Sequence, residues 1–497
     1  MPSNDDTDSS AAITDSYEAV AYDARPNPSS HPDHVAAIAT MFGLDAPDVS
    51  RARVLEVGCS DGANLLPVAA TLPDSRSMGC DLAPTPIRLA REATAALGLA
   101  NVEWLACDFR ELPADRGPFD FIIAHGVYSW VPAPVRDALL GLAARTLAPN
   151  GVLFVSYNAF PGGHTRRAVS EILRHHTANR PSLREKLAAA RELAALLADA
   201  GTTHDAADAS IQMELRRTAK MTDSELAHDV IAEPNDPVYF HEFAAHAGRH
   251  GLAFLAEAAP AMMGPVALGA NMRAYLSRLG RLAREQYLDF ARLRRFRQSL
   301  LCRADAPTDF ALKPSRMTPL FATASMQLVR AANEGRLPVG TGDPQASARR
   351  SLFERLVAAA PTAVPVAELT RGTGAPVGIG STPSAEAMIL EAWMSGIVHL
   401  RTKPLSATLT PGMRPEAFAL ARWQASTREG VTNLCHETVR FTDPLARTLL
   451  TLLDGTRDRA GMVSALATDA AFGDASAVAM RVDDTLASFA RFGLLIR

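Results

Sequence analysis

The stretch Arg53-Val-Leu-Glu-Val-Gly-Cys-Ser-Asp-Gly62 decides the fold of this 497-residue chain. Its first five residues are apolar except Arg53 and Glu56, as expected for a strand that is buried on both faces. A glycine-containing turn follows, and a helix is expected from about Asn64. Small residues let the backbone of such a turn approach a ligand, and the helix terminus offers free N–H groups. The stretch therefore predicts a strand, a ligand-binding turn and a helix.

The same alternation of strand and helix continues beyond this stretch. Further strands are predicted to end at Asp81 and to span Val102–Ala106, Phe119–Ala124 and Val152–Ser156, with helices at Pro84–Leu97 and Pro134–Leu147. Such alternation is typical of a parallel, doubly wound sheet. We interpret Leu252–Ala256 and Phe296–Cys302 as closing antiparallel strands of the same sheet. The Ala/Leu/Arg-rich residues 164–232 between them are then a helical insertion.

The second half of the chain has a different texture. Residues 347–401 and 442–497 each comprise helices followed by a short apolar ending, which indicates two winged-helix-like modules. The predicted fold class is therefore α/β, a Rossmann-like domain with a helical insertion, followed by mainly helical winged-helix-like C-terminal domains. The predicted division is a disordered tail at 1–14, a sheet domain at 15–163 and 233–305, an insertion at 164–232, a middle domain at 306–415 and a C-terminal domain at 416–497.

Composition excludes several classes of protein. The net charge of −4 gives no global sign of nucleic-acid or anionic-membrane binding. The N-terminal residues lack the apolar core of a signal peptide, and the most apolar stretch, Gly251–Asn271, is interrupted by Glu257, Pro260 and Pro265. Five scattered cysteines suggest neither a zinc site nor disulfides. We expect a cytoplasmic protein without a membrane span and without a catalytic metal.

Acidic residues end three successive predicted strands. Glu56 precedes the turn, Asp81 can accept hydrogen bonds from ribose hydroxyls, and Asp108 can accept those of an adenine amino group. With the turn Gly58-x-Ser60-x-Gly62, they predict an adenosine pocket at the carboxyl edge of the sheet.

A dinucleotide site is the competing interpretation of this pattern. Its Gly-x-Gly-x-x-Gly fingerprint fails here, because Ser60 and Ala63 stand at the second and third glycine positions. Glu56 would also repel a pyrophosphate, whereas it suits the α-ammonium group of S-adenosylmethionine (SAM). SAM is therefore the predicted cofactor.

The sequence resembles the class I SAM-dependent methyltransferases, with Glu56-x-Gly58-x-Ser60-x-Gly62 as their first motif. It also resembles proteins with a methyltransferase regulatory domain in His125-Gly-Val-Tyr-Ser-Trp-Val-Pro132, Tyr157-Asn-Ala-Phe-Pro-Gly-Gly-His164 and Asn235-Asp-Pro-Val-Tyr-Phe-His-Glu-Phe243. The arrangement is similar to the rickettsial lysine methyltransferases that modify outer-membrane proteins, and it extends to a C-terminal winged helix.

The resemblance implies which residues form the site. The cofactor-binding residues would be Tyr22, Glu56, Gly58, Ser60, Gly62, Asp81, Leu82, Asp108, Phe109 and His125. The residues nearest the reaction would be His125, Tyr128, Trp130 and Tyr157, because aromatic rings hold a cationic centre and His125 or a tyrosine hydroxyl could accept the lysine proton.

Structural roles compete with several of these assignments. Tyr128 and Trp130 could pack a helix start, His125 could orient its loop, and His164 could simply begin a helix. Tyr22 could close over SAM or pin a helix. The arginines between Arg292 and Arg297 suggest a solvated face or carboxylate partners rather than a nucleic-acid surface.

The leading functional hypothesis is a SAM-dependent methyltransferase acting on lysine in a protein substrate. The alternative is a small-molecule methyltransferase whose insertion serves as lid and dimer interface, which leaves a homodimer open. A DNA-binding regulator ranks last because residues 430–497 carry seven arginines and no lysine against eight acidic residues. The fourth hypothesis is a catalytically inactive protein that senses SAM.

Overall fold

The computed structural model describes residues 22–200, 206–264, 268–339, 346–371 and 384–497, so the predicted tail at 1–14 lies outside it. A large sheet dominates the first 303 residues. Its strands are β1 (Arg53–Val57), β2 (Arg76–Asp81), β3 (Val102–Ala106), β4 (Phe119–Ala124), β5 (Leu147–Asn158), β6 (Leu252–Glu257) and β7 (Phe296–Arg303). They lie in the order β3-β2-β1-β4-β5-β7-β6.

The sheet confirms the predicted doubly wound topology. Strands β1 to β5 pair in parallel, and β7 pairs antiparallel with both β5 and β6. Both late strands therefore belong to this sheet, as predicted. Only β7 runs against the others, however, because β6 is antiparallel to β7 and so points the same way as β5.

Helices cover both faces of the sheet and continue through the insertion. They are α1 (Pro32–Met41), α2 (Leu65–Thr71), α3 (Pro84–Leu97), α4 (Ala133–Thr146), α5 (Gly163–Thr177), α6 (Leu183–Asp199), α7 (Ala206–Ala219), α8 (Asp223–Leu226), α9 (Phe240–Arg249), α10 (Ala270–Leu276) and α11 (Arg281–Arg292). A π-helical turn, Ala227–Ile231, follows α8 directly. Helix α3 begins at Pro84, which fixes φ at its first position.

The insertion has a hydrophobic core of its own. Apolar residues of α5 to α8 and of the π-helical turn pack together, among them Val169, Leu173, Leu187, Leu215 and Val230. This separate core explains why the alternation of strand and helix stops at residue 164, since these helices bury their apolar faces against one another.

The second half contains two small sheets with helices. Its elements are β8 (Phe321–Ala324), α12 (Met326–Asn333), α13 (Ala346–Ala359), β9 (Val364–Pro365), α14 (Val366–Leu369), α15 (Ala385–Met394), β10 (Val398–Arg401), α16 (Ala419–Thr427), β11 (Gly430–Thr432), β12 (Thr438–Arg440), α17 (Pro444–Leu452), α18 (Arg459–Leu466) and α19 (Ala475–Arg491).

Both winged-helix-like modules include elements that precede the stretches 347–401 and 442–497, and these elements fall within the predicted domains 306–415 and 416–497. Strand β8 lies at the centre of the sheet β10-β8-β9, so the first module does not start at residue 347. In the second module, Ala417 bridges to Leu495, which brings residues before 442 against the C-terminal ending. Across the described part of the chain, every helix is too short or too polar to cross a bilayer.

One hydrophobic core joins the sheet domain to the second half. It runs from Val35 of α1 through Val54 and Phe353 to Leu486 of α19. Buried Asp33 adds a polar link, because its carboxylate accepts hydrogen bonds from the backbone N–H groups of Thr402 (2.6 Å) and Lys403 (3.1 Å). The C-terminal half is thus packed on the seven-stranded sheet.

Two arginines of the run Arg292–Arg297 face inward, Arg294 and Arg297, whereas Arg295 is exposed and pairs with Glu214 at 2.8 Å. Arg297 is 1% exposed and donates to Asp289 (2.8 Å), Glu257 (2.7 Å) and Glu285 (3.0 Å). Arg294, also buried, pairs with Asp289 at 3.2 Å. The prediction of carboxylate partners is therefore confirmed, and these ion pairs hold β7 against α11 and β6.

We predict that Arg297→Ala lowers the free energy of unfolding by about 3–5 kcal/mol, because three carboxylates lose a buried cation. Exposed Arg278 provides a matched control. Arg278→Ala should change the free energy of unfolding by at most about 0.5 kcal/mol. Denaturant unfolding followed by circular dichroism measures both. Equal midpoints for the two variants would contradict the structural role of this network.

Candidate functional site

A cavity of about 740 Å³ opens at the carboxyl ends of β1, β2 and β4. Residues 22–28 border it on one side, and the insertion and β7 border it on another. Of the predicted site residues, those in its lining are Tyr22, Glu56, Gly58, Ser60, Asp81, Leu82, Phe109, His125 and Trp130. The structure therefore brings nine of the predicted site residues together at one edge of the sheet.

The turn after β1 is shaped by left-handed backbone. Gly58 has φ +69°, and a Cβ there would lie 2.7 Å from the side chain of Val127. Ser60 takes φ +47°, and its N–H donates to Asp81 at 2.8 Å. Gly62, at φ +76°, instead leaves room for the ring of Trp104 and is not part of the cavity lining. Its role is to pack the turn against the sheet.

Glu56 carries a buried carboxyl group, and only one of its two oxygens accepts a hydrogen bond from the described residues. Oε1 accepts a hydrogen bond from Asn64 Nδ2 at 2.7 Å. Oε2 has no hydrogen-bond partner among the described residues. Burial raises the pKa of Glu56 to about 8, and nearby Asp81 adds to the shift. A cation placed against Oε2 would relieve this unfavourable setting.

Asp81 is fixed by backbone donors at the end of β2. One oxygen accepts from Ser60 N–H at 2.8 Å and the other from Ala83 N–H at 2.9 Å. Burial raises the pKa of Asp81 above its usual value. Each carboxylate oxygen can accept a further hydrogen bond, so Asp81 can still bind hydroxyl groups in the cavity.

Asp108 does not reach the cavity, contrary to the sequence prediction. Its carboxylate is held by Arg110, through the backbone N–H (2.8 Å) and the guanidinium group (2.6 Å). Its neighbours Cys107 and Phe109 line the cavity instead. The strand end was predicted correctly, but the side chain turns to cap the following helical turn.

The loop after β4 contributes His125 and Trp130. His125 Nδ1 lies 2.8 Å from Ser156 Oγ, which also accepts from Gly126 N–H at 2.9 Å. Burial lowers the pKa of His125 to about 4, so its ring is neutral at physiological pH. These contacts favour the loop-orienting role that competed with proton acceptance in the sequence analysis.

Tyr128 and Tyr157 lie behind the cavity wall, so the prediction that they form this wall is corrected. Tyr157 is 1% exposed and stacks on Phe243 at 4.2 Å between ring centroids. Tyr128 is 2% exposed, and its hydroxyl lies 2.8 Å from His246 Nδ1. Helix α9 covers both rings. His164 stacks on Phe160 at the start of α5 and is likewise not a lining residue.

Several lining residues were missed by the sequence analysis. Asn64 accepts the backbone N–H of Asn27 at 2.8 Å and the ring N–H of His436 at 2.8 Å. From the insertion, Glu225, Asp229 and four other residues reach the cavity, namely Arg166, Arg217, Ser224 and His228. Asn64 could have been found from its place at the helix start, but no local signal marked the distant residues.

Three family models match the chain. A methyltransferase domain matches residues 54–151, a predicted methyltransferase regulatory domain matches 222–303, and the PKMT C-terminal winged helix domain matches 414–491. The last match confirms the winged helix predicted for the C-terminal domain.

Two curated relatives come from Rickettsia prowazekii (strain Madrid E). Uncharacterized protein RP789 is 35% identical over 291 residues, which cover 58% of this chain and about half (53%) of RP789. Uncharacterized protein RP028 is 32% identical over 229 residues, which cover 46% of this chain and 92% of RP028.

A solved structure shares the fold over nearly the whole chain. PKMT2 from Rickettsia typhi in complex with AdoHcy superposes with a TM-score of 0.83 at 23% identity, covering 96% of this chain and 100% of PKMT2. The seven-stranded sheet, the edge cavity and these matches together show that the chain belongs to the class I SAM-dependent methyltransferases that carry a methyltransferase regulatory domain.

Proposed function

We propose that this chain transfers the methyl group of SAM to lysine side chains of a protein substrate. The observation that carries the proposal is a cavity that joins the strand termini to the insertion, where the carboxylates of Glu225 and Asp229 lie among several arginines. The family match to a PKMT winged helix and the likeness to PKMT2 support a protein substrate.

The cofactor end fits SAM in the charge and hydrogen-bonding capacity of its residues. Unpartnered, buried Glu56 Oε2 would receive the α-ammonium group. The turn at Gly58 and Ser60 would let the backbone approach the carboxylate of the cofactor. Asp81, already held by two N–H groups, would accept the ribose hydroxyls.

The remaining contacts would come from apolar side chains and a covering segment. Leu82 and Phe109 lie beside Asp81 in the cavity lining and would flank the adenine ring. Tyr22 lies across from them, with its ring 5.5 Å from that of His228, and would cover the cofactor. Bound SAM supplies a methyl group on a positively charged sulfur, to which the substrate nitrogen must be aligned.

Two carboxylates on the insertion side of the cavity could receive a lysine side chain. Asp229 lies on the π-helical turn, and burial raises its pKa although the nearby Arg166 opposes the shift. Glu225 is close by, but its carboxylate already accepts the N–H of Thr222 at 2.9 Å. Asp229 would therefore be the counter-charge for a lysine ammonium group.

Lysine must lose a proton before it can accept a methyl group. His125 is a poor acceptor because its pKa is about 4. The Tyr128 hydroxyl, with a pKa raised to about 12 by burial, lies outside the lining. We assign proton acceptance to Asp229, whose raised pKa makes it a stronger base than an ordinary aspartate.

One observation favours the alternative, a small-molecule methyltransferase. Arg166 lines the cavity, its Nε has no hydrogen bond among the described residues, and its pair with Glu214 is long, at 3.5 Å. Arg217 and Arg295 share the same Glu214. A substrate carboxylate could bind there, with the insertion as its lid; a homodimer through the insertion stays a prediction.

Methyl-labelled SAM incubated with this protein and a lysate of its host should label discrete protein bands, with the label on lysine after hydrolysis. Asp81→Ala should abolish the label because the ribose contacts are lost, whereas Asp74→Ala, at an exposed position, should retain it. Label confined to small molecules would support the alternative. No label despite SAM binding would indicate a sensor.

Asp229→Asn should lower kcat/KM for the protein substrate by about 10²-fold, since it removes both counter-charge and base. The affinity for SAM should change far less, because Asp229 is not among the residues assigned to the cofactor. Asp199→Asn, at an exposed site on α6, is the matched control. Methylation rates at several substrate concentrations, with calorimetry of SAM binding, separate the two effects. An unchanged kcat/KM would contradict the assignment.

A further inference from the structure

A second cluster of ligand-type side chains lies on the surface, apart from the cavity. It comprises Asp137, His246 and His250, none of which belongs to the cavity lining. Asp137 Oδ1 lies 3.1 Å from His246 Nε2 and 2.8 Å from His250 Nε2. One carboxylate oxygen thus faces two imidazole nitrogens.

The backbone brings these side chains together in a way that suits metal binding. His246 and His250 stand four residues apart at the end of α9, so they lie on the same face of the helix. Asp137 projects from α4 toward them. Two histidines at this spacing are a recurring zinc-binding arrangement.

The geometry is close to that of an occupied site. Ligand atoms about 2.0–2.1 Å from a tetrahedral zinc ion lie about 3.3 Å apart. The two measured distances are therefore within about half an ångström of the required separation. Both histidines are largely buried, at 12% and 18% side-chain exposure, whereas Asp137 at 59% leaves an open path from solvent.

We propose that Asp137, His246 and His250 bind a divalent transition metal, zinc in the first instance, with water as the fourth ligand. Two imidazoles and one carboxylate bind zinc in preference to magnesium or calcium, which favour oxygen ligands. The sequence His246-Ala-Gly-Arg-His250 lacks the glutamate that serves as a base between such histidines in metalloproteases. We therefore assign the ion a structural role.

The site would fasten the regulatory segment to the methyltransferase segment. Asp137 falls within residues 54–151, which match the methyltransferase domain, and both histidines fall within 222–303, which match the regulatory domain. An ion bound by all three ligands would tie α4 to α9 across this boundary.

A hydrogen bond connects the cluster to the cavity wall. His246 Nδ1 lies 2.8 Å from the Tyr128 hydroxyl, and a metal on Nε2 would require Nδ1 to carry the proton and donate it to this oxygen. Tyr128 begins a helical turn that ends at Trp130, and Val127 and Trp130 line the cavity. The ion would thereby fix the orientation of the loop after β4.

A cluster without metal is the competing interpretation. Both Nε2–H groups would then donate to Asp137, and His246 Nδ1 would accept from Tyr128. This arrangement also satisfies the hydrogen bonds of the cluster. Zinc binding separates the two interpretations, since it needs both Nε2 atoms deprotonated.

The test is calorimetric titration of the chelator-treated full chain with zinc chloride. We expect one site per chain that is weakened at least about a hundredfold in Asp137→Asn and His250→Ala, and about tenfold in Tyr128→Phe. His176→Ala, at an exposed histidine of the insertion, should bind like the wild type. Asp137→Asn changes an exposed side chain, so it should fold even where a histidine variant does not.

Two further readouts make the outcome decisive. Zinc should raise the Tm of the wild-type chain and not that of Asp137→Asn, and cobalt in the site should give the visible absorption of tetrahedral coordination. A wild-type chain that binds no zinc, or zinc binding that all cluster variants retain, would overturn the proposal. Neither result depends on methyltransferase activity.

Discussion

The buried amide of Asn64 is the contact on which the candidate site depends. Its Nδ2 donates to Glu56 at 2.7 Å, while its Oδ1 accepts from Asn27 N–H and His436 Nε2–H, each at 2.8 Å. One side chain therefore joins the first strand, the N-terminal segment and the C-terminal winged helix. Because Asn64 satisfies only Oε1 of Glu56, Oε2 is left for a cation. Buried polar groups of this kind hold a unique arrangement only when every partner is present.

This contact explains why the C-terminal module matters to a site it does not line. His436 takes φ +64° to reach Asn64, and Arg428 pairs with Asp61 of the turn after β1 at 2.9 Å. The continuous core from α1 to α19 holds the module in place. The insertion, with its separate core, contributes charged residues of both signs to another side of the cavity.

The sequence predicted which residues converge at the strand ends because one rule governs their placement. Parallel strands place their carboxyl ends at one edge, so Glu56, Ser60 and Asp81 had to converge there. The rule does not fix side-chain direction, which is why Asp108 and Tyr157 were wrongly placed in the cavity. Asp229 lies on a helical insertion that follows no such rule. Strand β8 was not predicted, because its four residues do not show the alternation of apolar and polar side chains that indicates a strand.

The proposed zinc cluster could not be predicted from local sequence either. The spacing of His246 and His250 was visible in the sequence, but the third ligand, Asp137, is more than a hundred residues away. Only the packing of α9 on α4 brings it near. The sequence analysis predicted no metal site, and the proposed ion departs from that prediction.

The most direct test of the account is the number of protons released when AdoHcy binds. Burial raises the pKa of Glu56 to about 8, so the free protein at pH 7 holds this carboxyl mainly protonated. An ammonium group against Oε2 lowers that pKa, and binding should then release nearly one proton. Calorimetry at pH 7 in two buffers of different ionisation enthalpy measures this number. We predict nearly one proton for the wild type and none for Glu56→Gln; equal numbers for both would contradict the assignment of Glu56 to the cofactor.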